Sequence, residues 1–368
     1  MPPHRHLILT FLVSALLPMA QAAAEHDYRI EQVAGGLEHP WSLAFLPDGR
    51  MLVTERGGDL VLIDGADQSR VANMPAVHAR GQGGLLDVIV DPDFSNNQLV
   101  YLSFSALAGD RPNTRVVRAR LDGDALTGTV EIFTSNAEGV RSKHFGSRLA
   151  IDGNGHLFIT HGDLGVRENA QDASNHAGSV IRINTDGSVP ADNPFVGQNG
   201  IAPELFSTGN RNPQGMAINP ATGVVWSHEH GPQGGDEINI IEAGKNYGWP
   251  VITYCVNYGF GTKIGDGITA KDGMEQPIYY WDPSIAPSGM MFYTGDQFPE
   301  WQGDLFIGAL KYQLLVRLEL DGDRIVSESR IVDGDIGRVR DVRQGPDGYI
   351  YLLNDQDDGG VYRLVPAG

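Results

Sequence analysis

Cysteine is almost absent from this sequence, which holds a single one, Cys255, among 368 residues. One cysteine excludes an internal disulfide, so the chain is not a disulfide-stapled secreted scaffold and its hydrophobic core must provide the stability. A chain of this length buries enough surface to do so. Cys255 is expected to be a buried thiol, because nothing beside it in the sequence suggests a nucleophile.

Basic residues are scarce as well. Lys and Arg number 27 against 46 Asp and Glu, which gives a formal charge of −19. A surface this acidic excludes nucleic acid and anionic membrane surfaces as partners, since like charges repel. The charge balance fits a soluble protein with a neutral or cationic ligand.

Long apolar runs are missing except near the N-terminus. A basic start at residues 4–6 precedes an apolar run at residues 7–17, and Ala20-Gln21-Ala22 follows. This order is typical of a secretory signal peptide, and the run is too short to span a bilayer. We expect residues 1–22 to be removed and the remainder to be periplasmic or secreted, without membrane insertion. The alternative is a buried N-terminal strand.

Helical periodicity is also scarce, and short apolar strands alternate with Gly, Asp and Pro turns, which indicates an all-β protein. A strand, a turn and a second strand recur six times, with turns at residues 48–49, 96–97, 154–155, 222–223, 302–303 and 347–348. A third strand follows each pair, at residues 60–63, 116–121, 180–183, 238–241, 314–320 and 360–364. This repetition predicts one six-bladed β-propeller over residues 23–368 rather than a β-sandwich. The fourth strand of each blade is not readable.

The polar residues of the repeats have a common position. In an antiparallel blade, the segment before the first strand and the loop between the second and third strands lie on one face, called here the top face. Several amide and cationic residues occupy such positions: Gln82, Arg211, Asn212, Lys311, Arg338 and Arg340. Cations that converge on an acidic protein predict a site for an anionic ligand, whose carboxylates arginine binds well. Surface salt bridges are the alternative interpretation for any single arginine.

His144 precedes the first strand of the third unit, so it also belongs to the top face. An imidazole titrates near neutrality and is a candidate general base. The alternative is a hydrogen-bonded structural histidine. His228 and His230 resemble a metal-ligand pair but are interpreted as structural, and residues 355–360 are interpreted as a solvated loop without the spacing of a calcium-binding EF-hand.

Residues 231–247 are rich in oxygen donors. Gly231-Pro232 can expose backbone carbonyls, and Asp236-Glu237 adds carboxylates before Asn246-Tyr247-Gly248. Carbonyl and carboxylate oxygens without cysteine suit a hard cation such as calcium. A blade-crossing loop with a capped turn is the alternative.

These segments together resemble the soluble family of glucose dehydrogenases that depend on pyrroloquinoline quinone (PQQ), and most of all its shorter bacterial aldose sugar dehydrogenase branch. The matching segments occur in the same order over nearly all of the chain: residues 81–86, 144–149, 209–215, 231–232 with 236–239, 246–250, 286–288 and 338–342. None of them is specific alone, whereas the set is.

The resemblance implies a calcium-assisted oxidation of aldose sugars by a quinone. It implies that calcium is held by the carbonyls of Gly231 and Pro232, and that Glu237 and the Tyr247 carbonyl form a further calcium site. His144 is then the base that takes the proton of the anomeric hydroxyl. The positions that match cofactor contacts are Gln82, Arg211, Asn212, Lys311, Arg338 and Arg340. The electron acceptor and the sugar are left open.

The sequence departs from the longer branch of that family in two places. Lys143 stands where that branch has an acidic residue, and Tyr280-Trp281-Asp282 differs from its aromatic arrangement. Both departures put specificity for glucose in doubt. The chain also lacks the length for that branch's dimer-forming insertions, which is compatible with a monomer. A calcium-dependent lactonase and an extracellular binding propeller are the alternative functions, because fold does not fix function.

Overall fold

Six four-stranded antiparallel sheets make up the protein, in a computed structural model that describes residues 28–137, 139 and 142–367. The prediction of an all-β, six-bladed β-propeller is confirmed. The predicted signal peptide, residues 1–22, lies outside the described residues. No helix among the described residues is long and apolar enough to cross a membrane.

The first strand of each blade faces the central axis. These innermost strands are β2 (Pro40–Phe45), β6 (Leu85–Val90), β10 (Leu149–Ile151), β14 (Pro213–Ile218), β18 (Pro287–Phe292) and β22 (Val339–Gln344). Each contacts the innermost strand of the next blade, and β22 contacts β2, so the six strands form a closed ring. The segments that lead into them therefore meet at one end of the axis.

The second and third strands follow the predicted positions. The second strands are β3 (Met51–Glu55), β7 (Leu99–Ala108), β11 (His156–His161), β15 (Val225–Glu229), β19 (Leu305–Ala309) and β23 (Ile350–Asn354). The third strands are β4 (Leu60–Asp64), β8 (Arg111–Asp122), β12 (Ser179–Asn184), β16 (Asp236–Ile241), β20 (Leu314–Asp321) and β24 (Gly359–Pro366). A turn such as that at Gly49, with φ of 92°, joins the first strand to the second, and glycine adopts this conformation without steric cost.

The outer strands are the part that the sequence pattern did not reveal. They are β5 (Asp67–Arg70), β9 (Ala125–Thr134), β13 (Leu205–Thr208), β17 (Tyr279–Trp281), β21 (Arg324–Ile331) and β1 (Tyr28–Leu37). Strand β1 pairs with β24, from Tyr28 opposite Pro366 to Leu37 opposite Gly359. Both ends of the described chain thus share the sixth blade, and this pairing closes the ring without a disulfide. Short helical turns complete the structure: α1 (Phe94–Asn97) and the 3₁₀ turns Arg167–Gln171 and Pro299–Trp301.

The hydrophobic core lies between neighbouring blades. Leu52 of the first blade, for example, packs in one cluster with Leu102 and Val117 of the second, and all three are almost completely buried. Full burial of such a side chain contributes about 1.5–3 kcal/mol. Cys255 is buried as expected, and burial raises the pKa of its thiol to about 12, so it is an inert thiol at neutral pH.

An ion cluster closes the axis below the top face. Arg148 contacts Asp87 at 3.1 Å and Asp341 at 3.2 Å, and Arg343 contacts the same two carboxylates at 3.1 and 2.9 Å. The Arg148 guanidinium also lies 4.2 Å from the ring centre of Trp41. Because these residues come from the first, second, third and sixth blades, the cluster ties the innermost strands of four blades together.

Candidate active site

A cavity of about 1250 Å³ opens on the top face, at the axis. Six of the predicted site residues line it: Gln82, Asn212, Pro232, Lys311, Arg338 and Arg340. The other five are buried and do not line it: His144, Arg211, Gly231, Glu237 and Tyr247. The structure thus brings six of the eleven predicted residues together around one cavity.

Arg338 and Arg340 share a carboxylate partner, Asp355. The Asp355 side chain accepts hydrogen bonds from Arg340 at 2.7 Å and from Arg338 at 3.3 Å, and His39 lies 2.9 Å from its other oxygen. Burial raises the pKa of Asp355, but the Arg340 charge and hydrogen bond outweigh burial and hold that pKa well below its ordinary value. Asp355, whose side chain is 13% exposed, is thus an anchor for both arginines. Of the predicted solvated loop, residues 356–358 are exposed, whereas the prediction is wrong for Asp355 and for Gly359 and Gly360, which are buried at the start of β24.

Arg340 retains binding capacity beyond this anchor. Its Nε is buried and has no hydrogen-bond partner among the described residues. Burying a guanidinium N–H without a hydrogen-bond acceptor costs folding free energy, unless a ligand or a water molecule accepts that hydrogen bond. Together with Lys311, which is exposed on the same lining, it fits an anionic ligand. Arg56 and His39 also line the cavity, and sequence reasoning missed both.

His144 lies directly behind the lining residues Phe145 and Gly146. Its Nδ1 is 2.7 Å from Asp163 Oδ1, and its Nε2 is 3.3 Å from Arg211 Nη2. Burial lowers the pKa of His144, the Asp163 hydrogen bond opposes this, and the Arg211 charge adds to the lowering. The imidazole is therefore neutral at neutral pH. With its proton on Nδ1 towards Asp163, Nε2 is the atom that can accept a proton.

Asp163 is the functional residue that sequence reasoning missed most plainly. It is buried, its Oδ2 accepts a hydrogen bond from Trp249 Nε1 at 2.9 Å, and the Gly165 amide donates to its Oδ1 at 2.7 Å. Burial raises the pKa of Asp163, but the His144 contacts outweigh it and the pKa lies below its ordinary value. A signal existed, because Asp163 follows β11 on the same face as the segment that holds His144.

The backbone at His144 is unusual. Its φ is 59°, in a region that non-glycine residues seldom adopt, and its amide donates to Gln82 Oε1 at 2.8 Å. A side chain at Gly162 would lie 2.0 Å from the His144 carbonyl oxygen. Gln82 thus holds the histidine segment from the neighbouring blade, in addition to lining the cavity.

A buried glutamate organises the segment that carries Arg211 and Asn212. Glu229 accepts hydrogen bonds from the Arg211 amide, from the Asn212 amide at 3.1 Å and from Asn210 Nδ2 at 3.3 Å. Arg211 in turn donates to the His230 carbonyl at 2.7 Å. From the sequence, Glu229 was noted only within His228-Glu229-His230, a run interpreted as structural, because its hydrogen-bond partners lie 17 to 19 positions away in the chain.

Glu229 stands opposite Glu237 on the paired strands β15 and β16. Burial raises the pKa of Glu229 to about 7, and burial together with the neighbouring Glu229 charge raises the pKa of Glu237. Two adjacent buried carboxylates are costly unless a proton or a cation lies between them. The described residues contain no group of three or more His, Cys, Asp or Glu side chains that could hold a metal. A cation here would therefore need backbone oxygens besides these carboxylates, which suits calcium.

The other residues predicted to bind calcium are Gly231, Pro232 and Tyr247. Hydrogen bonds to Asp236 and from the Tyr247 hydroxyl fix the segments that carry them. Asp236 accepts hydrogen bonds from the Gly231 amide at 2.8 Å and from the amides of residues 285 and 286, so it shapes the loop and has little capacity left as a ligand. The Tyr247 side chain is buried and its hydroxyl donates to the Ile240 carbonyl at 2.5 Å. Pro232 reaches the cavity, whereas Gly231 lies just behind it.

The two departures from the longer glucose dehydrogenases lie outside the cavity lining. Tyr280 stacks on Tyr254 with ring centres 4.1 Å apart, and Trp281 is buried with its Nε1 donating to Glu328 at 2.8 Å. His230, interpreted as structural, contacts the Pro287 carbonyl at 2.6 Å, although it also lines the cavity.

Comparison with known proteins identifies relatives over almost the whole chain. A family model described as glucose/sorbosone dehydrogenase matches residues 37–363. The aldose sugar dehydrogenase YliI of Escherichia coli is 43% identical over 364 residues, which cover 97% of this chain and 98% of that protein.

Solved structures agree with this comparison. The crystal structure of the soluble aldose sugar dehydrogenase from Escherichia coli in the apo-form has a TM-score of 0.89 at 43% identity and covers 92% of this chain and 99% of its own. The PQQ-bound form of the aldose sugar dehydrogenase from Streptomyces coelicolor has a TM-score of 0.76 at 26% identity, with coverage of 92% and 98%.

Proposed function

The chain belongs to the glucose/sorbosone dehydrogenase family and is an oxidoreductase, and on that premise we propose that it oxidises aldose sugars to lactones with PQQ as cofactor. The family relationship that the sequence motifs indicated is thereby confirmed. The observation that carries the proposal is that His144, paired with Asp163, stands directly behind a cavity lined by Lys311, Arg338 and Arg340.

The cavity residues fit a ligand with several carboxylates. Arg338, Arg340 and Lys311 would hold those carboxylates, and Gln82 and Asn212 would add amide hydrogen bonds. The unpartnered Nε of Arg340 supports this assignment, because a bound carboxylate supplies the acceptor that the described residues do not. When bound, the quinone and its calcium ion supply the acceptor for the hydride that leaves the sugar.

His144 would take the proton of the anomeric hydroxyl at Nε2. Removal of a hydride from the anomeric carbon leaves a positive centre unless the hydroxyl proton departs as well, so a base beside that hydroxyl lowers the barrier. Asp163 fixes the tautomer through Nδ1 and stabilises the imidazolium that forms. Arg211 Nη2 lies 3.3 Å from Nε2 in this structure, so the sugar hydroxyl would take the place of that contact when Nε2 accepts the proton.

Calcium would be held at two places in the 231–247 segment. The carbonyls of Gly231 and Pro232 would hold the ion that accompanies the quinone, and Glu237 with the Tyr247 carbonyl would hold a further one. The adjacent Glu229 and Glu237 carboxylates support the second site, because a divalent cation offsets their repulsion. The export signal supports a location in the periplasm or outside the cell, with cleavage after Ala22.

The test is an absorption titration of the purified protein with PQQ and calcium, followed by addition of an aldose. We expect saturable quinone binding and then reduction of the bound quinone by the sugar, with a lactone as product. Absence of quinone binding in the presence of calcium contradicts the proposal. Calcium-dependent hydrolysis of a lactone without quinone would instead indicate the lactonase alternative.

A further inference from the structure

A long connection between β16 and β17, residues 242–278, carries a hairpin beside the cavity. Val256 forms antiparallel bridges with Lys263 on one side and Gln233 on the other, and the Asn257 amide donates to the Thr262 carbonyl at 2.8 Å. Connections within sheets rarely need this length, and long ordered loops are usually functional. The four residues at the tip, 258–261, read Tyr-Gly-Phe-Gly.

The tip exposes two aromatic rings, only one of which belongs to the cavity. Tyr258 lines the cavity and is 69% exposed, whereas Phe260 is 100% exposed and is not part of the lining. Trp41 and Phe145 also line the cavity, but at 3% and 2% exposure they form its buried floor. Tyr258 is therefore the exposed aromatic side chain of the cavity lining, in contrast to the buried Trp41 and Phe145.

The base of the hairpin is fixed to the residues that hold the proposed base. Arg167 Nη2 donates to Asn257 Oδ1 at 2.7 Å, and the Arg167 guanidinium lies 5.5 Å from the ring centre of Trp249. Trp249 donates to Asp163, the partner of His144. On its other side, the Val256 amide donates to the carbonyl of Gln233, which follows Pro232. Two short chains of contacts thus connect the residues next to Tyr258 to the proposed site. One leads through Arg167 and Trp249 to Asp163, and the other leads to Gln233 beside Pro232.

The tip itself keeps freedom to adjust. Gly259 and Gly261 have φ of 86° and 63°, and a side chain built at Gly259 would meet nothing within 4 Å. Glycine permits many backbone conformations, so the tip of the hairpin can adjust its conformation to a ligand while the base stays fixed.

We propose that Tyr258 is the platform on which the aldose ring stacks, so that the hairpin tip forms the sugar-facing wall of the active site. This inference rests on the proposed function and adds to it the residue that contacts the substrate ring. A pyranose offers one face of C–H groups, which packs against an aromatic face, while its hydroxyls remain available to polar groups of the cavity.

The test measures sugar binding without turnover. The probe is 1,5-anhydro-D-glucitol, which lacks the anomeric hydroxyl and cannot be oxidised to a lactone, titrated calorimetrically into the protein loaded with PQQ and calcium. We expect Tyr258→Ala to weaken its Kd by about 3- to 10-fold, the usual size of one aromatic contact. Tyr258→Phe keeps the ring and should stay within about 2-fold of the unchanged protein.

Phe260→Ala is the matched control, because it removes a ring from the same tip but not from the cavity lining. It should leave the Kd for the probe unchanged, and quinone affinity, followed by absorbance, should be equal in all variants. An unchanged probe Kd in Tyr258→Ala overturns the inference, as does an equal loss in Phe260→Ala. If the unchanged protein fails to bind the quinone, the proposed function itself fails, and that result is visible before any variant is compared.

Discussion

Replacing Asp163 by asparagine tests the proposed proton transfer most directly. The variant removes the negative charge 2.7 Å from His144 Nδ1 but keeps the size of the side chain. Because Asp163 raises the pKa of His144 against burial and against the Arg211 charge, its loss should lower that pKa further. The imidazolium that forms during the reaction also loses its partner.

The size of the effect follows from this one contact. A hydrogen bond to a charged group contributes about 1.5–3 kcal/mol, so turnover should fall by about 10- to 150-fold. The pH dependence of turnover provides a second, independent test of the role of Asp163. His144 must be neutral to accept a proton, so activity falls as pH drops through its pKa, and a lowered pKa moves this acidic limb to lower pH.

The assay is turnover with saturating PQQ, calcium and aldose over a range of pH, with quinone affinity measured separately. Asp172→Asn is the matched control, because Asp172 lies in the same loop and carries the same charge but is exposed. The reasoning is refuted if Asp163→Asn keeps its turnover and its acidic limb while Asp172→Asn behaves the same way. A loss of quinone affinity alone would mean that Asp163 has only a structural role.

Four further predictions concern the rest of the site and the processing of the N-terminus. His144→Ala should lower turnover by about 10²–10⁴-fold with quinone affinity retained, and near-normal turnover would make His144 a structural residue. Arg340→Ala should weaken quinone binding more than it slows turnover at saturating quinone, whereas Arg324→Ala, on the outer strand β21 and 72% exposed, should change neither. Exhaustive chelation should abolish quinone-dependent activity and calcium should restore it; full activity after chelation contradicts the calcium role. N-terminal sequencing of exported protein should begin at Ala23, and material that begins at Met1 contradicts the export prediction.

The sequence predicted those parts of the fold that depend on local pattern. The first three strands of each blade follow from apolar runs and turn residues, and the order of blades follows from the repeat. Strand β1 was not predictable in this way, because it completes a blade whose other strands lie more than 300 residues later in the chain. Its register is set by pairing with β24 rather than by any local signal.

In the candidate site, too, the sequence predicted the residues with a local signal and missed those defined by long-range contacts. Residues marked by an unusual type at a top-face position, such as His144 and Arg340, were found from the sequence. Their partners Asp163 and Asp355 were not, because an aspartate in a polar loop looks the same whether it is solvated or buried against an arginine. The contact between His39 and Asp355 spans 316 positions. Only the closed propeller ring brings such residues together.

Two groups of charged residues lie at the axis: the ion cluster around Arg148 and the charged residues of the cavity lining. They differ in their formal charge. The lower one pairs Arg148 and Arg343 with Asp87 and Asp341, so its formal charge is 2 − 2 = 0, and both carboxylates are fully buried. The balanced lower assembly has a structural role.

The cavity lining is different. It carries four Lys or Arg residues against three Asp, a reversal of the 27 to 46 ratio of the whole chain. Arg340 is paired with Asp355 at 2.7 Å, and solvent screens the exposed Lys311 and Arg338 as it does Asp357 and Asp358. The lining thus has a formal excess of one positive charge on a chain whose formal charge is −19, and this local reversal favours an anionic ligand at this end of the axis.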